Sequence, residues 1–221
     1  MKKFFRDNGL SIVLFVLFLF SMTGQYLTGY EEYKDGQKQH GQAAVGYLDY
    51  LGEGHFIEAT FENWESEFLQ MGMYIVLTIF LFQKGSSESK DPDKSERVDR
   101  IPPEARHNPE APSPVRRSGW QLKIYENSLS LAFLLLFILS FALHAYGGAE
   151  EFSQEQLQHG GFPVSTLEFI RTSRFWFESF QNWQSEFLSV GLMIFMSIYL
   201  RQKGSPESKA VDAPHDETGT A

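Results

Sequence analysis

The chain carries one long internal repeat. Residues 7–90 recur at 126–209 with a constant offset of 119 and no insertion or deletion, and about two-fifths of the aligned positions are identical. The most similar stretch reads Phe-Glu-Asn-Trp-Glu-Ser-Glu-Phe from Phe61 and Phe-Gln-Asn-Trp-Gln-Ser-Glu-Phe from Phe180. A repeat of this length is a whole structural unit, longer than the repeat of a solenoid. We therefore expect two copies of one fold, in which a residue present in both copies has the same structural or functional role in each.

Each copy contains two apolar segments, at 10–27 and 64–82 in the first and at 129–146 and 183–200 in the second. About 18 residues of α-helix measure roughly 27 Å, close to the hydrocarbon thickness of a bilayer. The run from Leu10 to Phe20 is apolar on every side, whereas a helix of a soluble bundle keeps a polar stripe. The start of the chain is similar to a signal peptide, but its copy recurs at Leu129, so both are expected to be permanent spans.

Basic residues predict the orientation of these spans. Three precede the first span, three follow the fourth, and the stretch between the second and third holds Lys84, Lys90, Lys94, Arg97, Arg100, Arg106, Arg116, Arg117 and Lys123. The other two connections, 30–63 and 149–182, hold only four basic residues between them. The excess of Lys and Arg in cytoplasmic loops places both termini and the central linker in the cytoplasm and these two connections outside.

The predicted fold is an all-α membrane protein of four transmembrane helices, arranged as two tandem-duplicated helical hairpins (1–83 and 119–203). The linker 84–118 and the tail 204–221 are rich in polar residues and Pro, so both are expected to be disordered. The outward connections are expected to form short amphipathic helices, with Leu48 and Leu51 in the first and Leu167 and Ile170 in the second. Ser165 and Glu168 have the spacing of a capping box.

Composition excludes several classes of chemistry. The chain has no cysteine, which rules out disulfides, thiolate metal sites and cysteine nucleophiles. It has no Gly-rich phosphate loop and no nucleophile elbow, and its basic runs are too short to indicate nucleic-acid binding. We therefore predict no enzyme activity, no catalytic residue and no cofactor.

The repeated motif gives three candidate residues in each copy: Asn63, Trp64 and Glu67 in the first, and Asn182, Trp183 and Glu186 in the second. One interpretation is structural: the asparagines are N-caps, the tryptophans lie in the interfacial aromatic belt, and the glutamates favour the first helical turn. In the alternative interpretation, the glutamates face each other within the membrane, where two close carboxylates could share a proton or hold a cation.

A second repeated pair is His40 and His159, each followed by glycine. With the dipeptides Glu31-Glu32 and Glu150-Glu151 they could bind a metal, but the spacing is looser than in known zinc motifs, and a turn explains His-Gly equally. No metal site is therefore predicted. His144 corresponds to Gln25, so the predicted spans hold no repeated histidine pair of the kind that binds haem.

The doubled Asn-Trp-x-Ser-Glu-Phe motif, with the Gln-Lys-Gly-Ser-x-Glu-Ser-Lys segment that ends each repeat, resembles an uncharacterised family of small bacterial four-span inner-membrane proteins. The resemblance implies a bacterial cytoplasmic membrane and carries no activity. The leading prediction is a non-enzymatic structural or interaction protein of the cell envelope, with lipid, a membrane partner or a second copy as its partner. The alternatives are a proton or cation transporter using Glu67 and Glu186, and a membrane metal or redox enzyme using His40 and His159.

Overall fold

The computed structural model describes residues 2–100, 108–117 and 119–219, in which seven α-helices and no strands occur. The long helices are α1 (Lys2–Gln39), α2 (Gly54–Phe80), α5 (Ser128–Gln158) and α7 (Ser173–Tyr199). The short helices are α3 (Ser113–Arg117), α4 (Trp120–Glu126) and α6 (Thr166–Phe169), and 3₁₀ turns lie at Asp49–Gly52 and Arg97–Asp99. The predicted all-α class is confirmed.

Each predicted span coincides largely with one of the four long helices, but α2 ends at Phe80 and α7 at Tyr199, before the predicted ends at 82 and 200. Two of these, α1 over Lys3–Gln39 and α5 over Ser128–Gln158, are long and apolar enough to cross a membrane. Core helices and signal sequences have the same properties, so this is weak evidence for membrane association. In α2 the carboxylates of Glu62, Glu65 and Glu67 interrupt the apolar run. The four-span topology therefore stays a prediction.

The chain divides into two compact units. The first unit comprises Met1–Phe61 and Ala142–Trp176, and the second comprises Glu62–Phe141 and Phe177–Ala221. The first unit thus holds all of α1, both outward connections except their last few residues, and the polar end of α5. The second unit holds the described parts of the linker and the tail and, apart from Phe61, the two repeated motifs.

Two aromatic triads form the core of the first unit. In the first triad, the Tyr50 ring lies 5.5 Å from those of Tyr33 and Phe56. The second triad occupies the positions 119 residues later: Phe169 lies 5.7 Å from both Phe152 and Phe175. The central ring of each triad is almost wholly buried. Equivalent sequence positions therefore make equivalent contacts.

A glycine allows each central ring to approach its long helix. A Cβ atom at Gly29 in α1 would lie 2.6 Å from the hydroxyl oxygen of Tyr50, and one at Gly148 in α5 would overlap the ring of Phe169. Residues with a side chain at these positions would push the ring away from the helix. This contact explains why glycine occupies both positions.

The short outward helices each bury an aromatic ring that the predicted apolar face did not include. Leu48 and Leu167 are strongly exposed, while Tyr50 and Phe169 point into the core. The predicted capping box at the start of α6 is present: the Glu168 N–H donates to Ser165 Oγ at 3.3 Å, and the Ser165 N–H donates to the Glu168 carboxylate at 2.8 Å. Each of these helices is a single turn, so the aromatic side chain dominates its packing.

In the second unit, the two Gln-Lys-Gly-Ser-x-Glu-Ser-Lys segments form the same loop. The Gln83 N–H donates to Ser89 Oγ at 3.0 Å, and the Gln202 N–H donates to Ser208 Oγ at 2.9 Å. Lys209 is buried, and its ammonium group donates to three main-chain carbonyls of the tail. Residues 101–107, 118, 220 and 221 of the predicted disordered segments lie outside the described residues, and disorder in solution stays a prediction.

Candidate functional site: a cavity lined by histidine and glutamate

The first unit contains a cavity of about 360 Å³. Its chemistry is set by three histidines and three glutamates: His40, His55, His159, Glu32, Glu151 and Glu155. Tyr33, one glycine and three glutamines complete the lining, which includes no lysine and no arginine. The cavity therefore combines imidazole nitrogens with an excess of negative charge.

The helix ends bring His40 and His159 to this cavity. Helix α1 ends at Gln39 and α5 ends at Gln158, so each histidine is the first residue after its helix. The glycines that follow have φ values of 68° and 76°, in the left-handed region where glycine commonly terminates a helix. Each cavity-lining pair, His40 with Glu32 and His159 with Glu151, recurs at the same offset.

Hydrogen bonds orient two of the histidine rings. His159 Nδ1 lies 2.8 Å from the main-chain oxygen of Glu155. A carbonyl oxygen only accepts, so Nδ1 is the donor of this bond, and in the neutral tautomer that it implies, the lone pair is on Nε2. His55 Nδ1 lies 2.8 Å from the Tyr50 hydroxyl. Burial lowers the pKa of His55 and so favours a neutral ring, while the charge of Glu32 acts in the opposite direction.

The carboxylates of α5 that follow its apolar segment lie in a region of low solvation. Burial raises the pKa of the Glu151 carboxyl to about 7; the charge of Glu155 acts in the same direction, and Arg174 opposes it. Burial also raises the pKa of Glu150. One carboxylate oxygen of each is buried without a hydrogen-bond partner in the described chain. Both glutamates therefore bind protons more readily than exposed carboxylates.

Tyr33 connects the cavity to the first aromatic triad. Its hydroxyl lies 2.8 Å from a carboxylate oxygen of Glu53 and 3.0 Å from the side-chain oxygen of Gln154. Burial, together with the Glu53 carboxylate, raises the pKa of this phenol. Tyr33 is thus protonated at any physiological pH and acts as a donor.

A partly buried ion network adjoins the cavity. Arg174 pairs with Glu155 and lies 3.8 Å from the carboxylate of Glu58. His144 is fully buried and stacks on Phe175 at 4.7 Å, with a ring nitrogen within 4.8 Å of a Glu58 oxygen. The sequence reasoning missed Glu58 and Arg174 because neither is repeated: their counterparts are Phe177 and His55.

The capping interpretation of the repeated motif is wrong. Helix α2 begins at Gly54 and α7 begins at Ser173, so Asn63 and Asn182 lie well inside their helices. The Asn182 side chain donates to the main-chain oxygen of Glu178 instead of capping an N-terminus. For the same reason Glu67 and Glu186 do not lie in a first helical turn.

The tryptophans and glutamates of the motif lie in the second unit. Trp183 Nε1 donates to a carboxylate oxygen of Glu65, which is fully buried, at 3.0 Å. Trp64 is half-buried and packs against the Phe68 ring. Glu67 is exposed and Glu186 is half-buried. The pairing of these two carboxylates that the transporter hypothesis requires stays a prediction.

These features define an all-helical protein with two helices capable of crossing a membrane and a polar cavity in its first unit. The chain belongs to the family described as a domain of unknown function (DUF6766), which matches residues 1–220. Comparisons with curated proteins and with solved structures gave no match. The expected membership of an uncharacterised family is confirmed.

Proposed function

We propose that this is an integral membrane protein of four spans, built from two tandem helical hairpins, with a non-enzymatic structural or interaction role in the bacterial envelope. The observation that carries the proposal is the exposure of α1. Leu10 and Phe20, the two ends of the run that is apolar on every side, are 77% and 76% exposed. A helix with apolar residues on every side is stable only if lipid or another apolar partner covers it.

The other long helices support a membrane environment in the same way. Their apolar segments also expose large side chains, including Phe80 in α2, Leu135 in α5 and Leu188 and Phe195 in α7. Continuous apolar surface of this kind exceeds what a soluble monomer leaves uncovered. Lipid is therefore the proposed partner of all four helices.

The matched contacts of the first unit support duplication. The two aromatic triads share ring spacings, central-ring burial and a glycine against the central ring. Such agreement is expected when two segments inherit one fold. The even number of spans in each copy then gives both copies the same orientation in the bilayer.

Topology can be measured directly because the native chain has no cysteine. Single cysteines at exposed Gln42 and Arg171 would report the outward connections, and those at Ser113 and Asp212 would report the linker and the tail. In intact cells, we expect a membrane-impermeant maleimide to label the first two and to reach the last two only after lysis. Labelling of all four in intact cells, or release of the protein by alkaline carbonate, would overturn the proposal.

A second candidate function is cation or proton transport through Glu67 and Glu186, favoured by the recurrence of a carboxylate at the equivalent position of α2 and α7. Two carboxylates that lie close together could share a proton or hold a cation. We expect the double substitution Glu67→Gln and Glu186→Gln to abolish ion flux in liposomes, with Glu126→Gln as the control. Equal flux in all three proteins, or none in the native protein, would contradict it.

A further inference from the structure

We propose that the cavity of the first unit binds one divalent transition-metal ion of the zinc type, with His40, His159 and Glu151 as the principal ligands. The inference is independent of the proposed membrane topology. It rests on ligand chemistry, on the orientation of the imidazole rings and on the electrostatic environment of the cavity.

The donor set is suited to such an ion. Neutral imidazole and carboxylate are common ligands of Zn²⁺, and the cavity supplies three groups of each type. The lining includes no lysine or arginine that would repel a cation. Alkaline-earth ions prefer a shell of oxygen atoms alone, so the histidines favour a transition metal.

One ligand already has the orientation that metal-binding histidines adopt. The bond between His159 Nδ1 and the Glu155 carbonyl fixes the ring and leaves Nε2 to coordinate an ion. Its repeat counterpart His40 follows the end of α1 as His159 follows the end of α5. The two histidines therefore reach one cavity from two helix ends.

The electrostatic environment of the cavity favours positive charge. The C-terminal ends of α1 and α5 both lie at this cavity, and the negative end of a helix dipole stabilises a nearby cation. Glu151 contributes a carboxylate oxygen that is buried and without a hydrogen bond in the described chain. A bound cation would satisfy this oxygen and offset the repulsion between Glu151 and Glu155.

Binding requires the lining side chains to move together. In the part of the chain that the structure describes, no three of the lining imidazoles and carboxylates have ligand atoms within 4.8 Å of one another. A zinc ion with ligand distances of about 2 Å would bring them closer than that. His40 and His159 are exposed, so ordering each of them costs roughly 1 kcal/mol of side-chain entropy or less.

The test uses the full-length protein in detergent, purified without a histidine tag and stripped with a chelator. We expect titration with Zn²⁺ to show one site per chain, and Co²⁺ to give the visible absorption of a site with nitrogen and oxygen ligands. The double variant His40→Ala and His159→Ala should weaken Zn²⁺ binding at least about tenfold. His215→Ala, which removes a histidine of the tail, should bind as the native protein does.

Three further measurements keep the proposal falsifiable. Glu151→Gln removes the charge but keeps the shape, so it should weaken binding even if the histidine variant is poorly folded. Glu58→Gln tests whether the ion binds instead at the neighbouring Glu58–His144 pair. If the ion binds in the cavity, this variant should leave Zn²⁺ affinity unchanged. Helical circular dichroism of each variant should match that of the native protein. No saturable binding, or native affinity in both cavity variants, would overturn the proposal.

Discussion

Phe169 provides the sharpest test of the packing in the first unit. Its ring is fully buried, lies 5.7 Å from both Phe152 and Phe175, and covers Gly148 of α5. Replacing a fully buried phenylalanine by alanine removes the transfer free energy of the ring and leaves a cavity, which together cost about 3–5 kcal/mol. We expect Phe169→Ala to lower the free energy of unfolding by that amount in detergent, measured by Trp176 fluorescence.

A matched control lies two residues away. Leu167 belongs to the same short helix but is 72% exposed. We expect Leu167→Ala to change the free energy of unfolding by about 0.5 kcal/mol or less. A similar loss for both variants would show that α6 contributes as a helix and that the Phe169 ring is not the source of its stability.

Gly148→Ala extends this test to a double-mutant cycle. Alone, the added methyl meets the buried Phe169 ring and should destabilise the protein, since overpacking costs about 1–3 kcal/mol. In the Phe169→Ala background the methyl no longer meets the ring, and its remaining close neighbour is a Glu58 carboxylate oxygen at 2.9 Å, so the cost of Gly148→Ala should become smaller. Strict additivity of the two substitutions would refute the proposed contact between Gly148 and Phe169.

Other predictions follow from buried polar groups. The pKa of Glu151 is raised, so between pH 4.5 and 7 the folded protein keeps a proton that the unfolded chain has lost. The free energy of unfolding should therefore fall by at most about 3 kcal/mol as the pH rises through this range. Glu151→Gln should flatten this part of the pH profile. Trp183→Phe removes a donor to the buried Glu65 and should lower the free energy of unfolding by about 1–3 kcal/mol, while Trp120→Phe, at an exposed position, should have little effect. Lys209→Met removes the ammonium that binds three carbonyls, and limited proteolysis should then cleave the tail faster.

The positions of the long helices could be predicted from the sequence, but the residues at which two of them begin could not. Apolar runs and the repeat located all four long helices, because a helix that packs against any apolar surroundings needs apolar side chains. The starts at Gly54 and Ser173 were missed because Asn63 and Asn182 are good capping residues, while Phe56 and Phe175 extend the packing further toward the N-terminus. Here tertiary contacts outweighed a local propensity.

The repeat also misdirected the search for functional residues. It led to His40 and His159, which the cavity does contain, but it gave no reason to select Glu58 and Arg174 and argued against His144, because these residues differ between the copies. A comparison of the two copies identifies residues with a role in both and does not identify residues with a role in one copy alone. The cavity itself depends on helix-end positions that sequence spacing does not specify.

Tyr33 shows how far the two halves have become dependent on each other. Its hydroxyl reaches Gln154, which belongs to the other sequence copy and has Asp35 as its counterpart. A half-length chain pairing with itself would place an ionised side chain where the phenol now meets a neutral amide. On the proposed duplication, divergence of the two copies has made a contact that two identical halves could not reproduce.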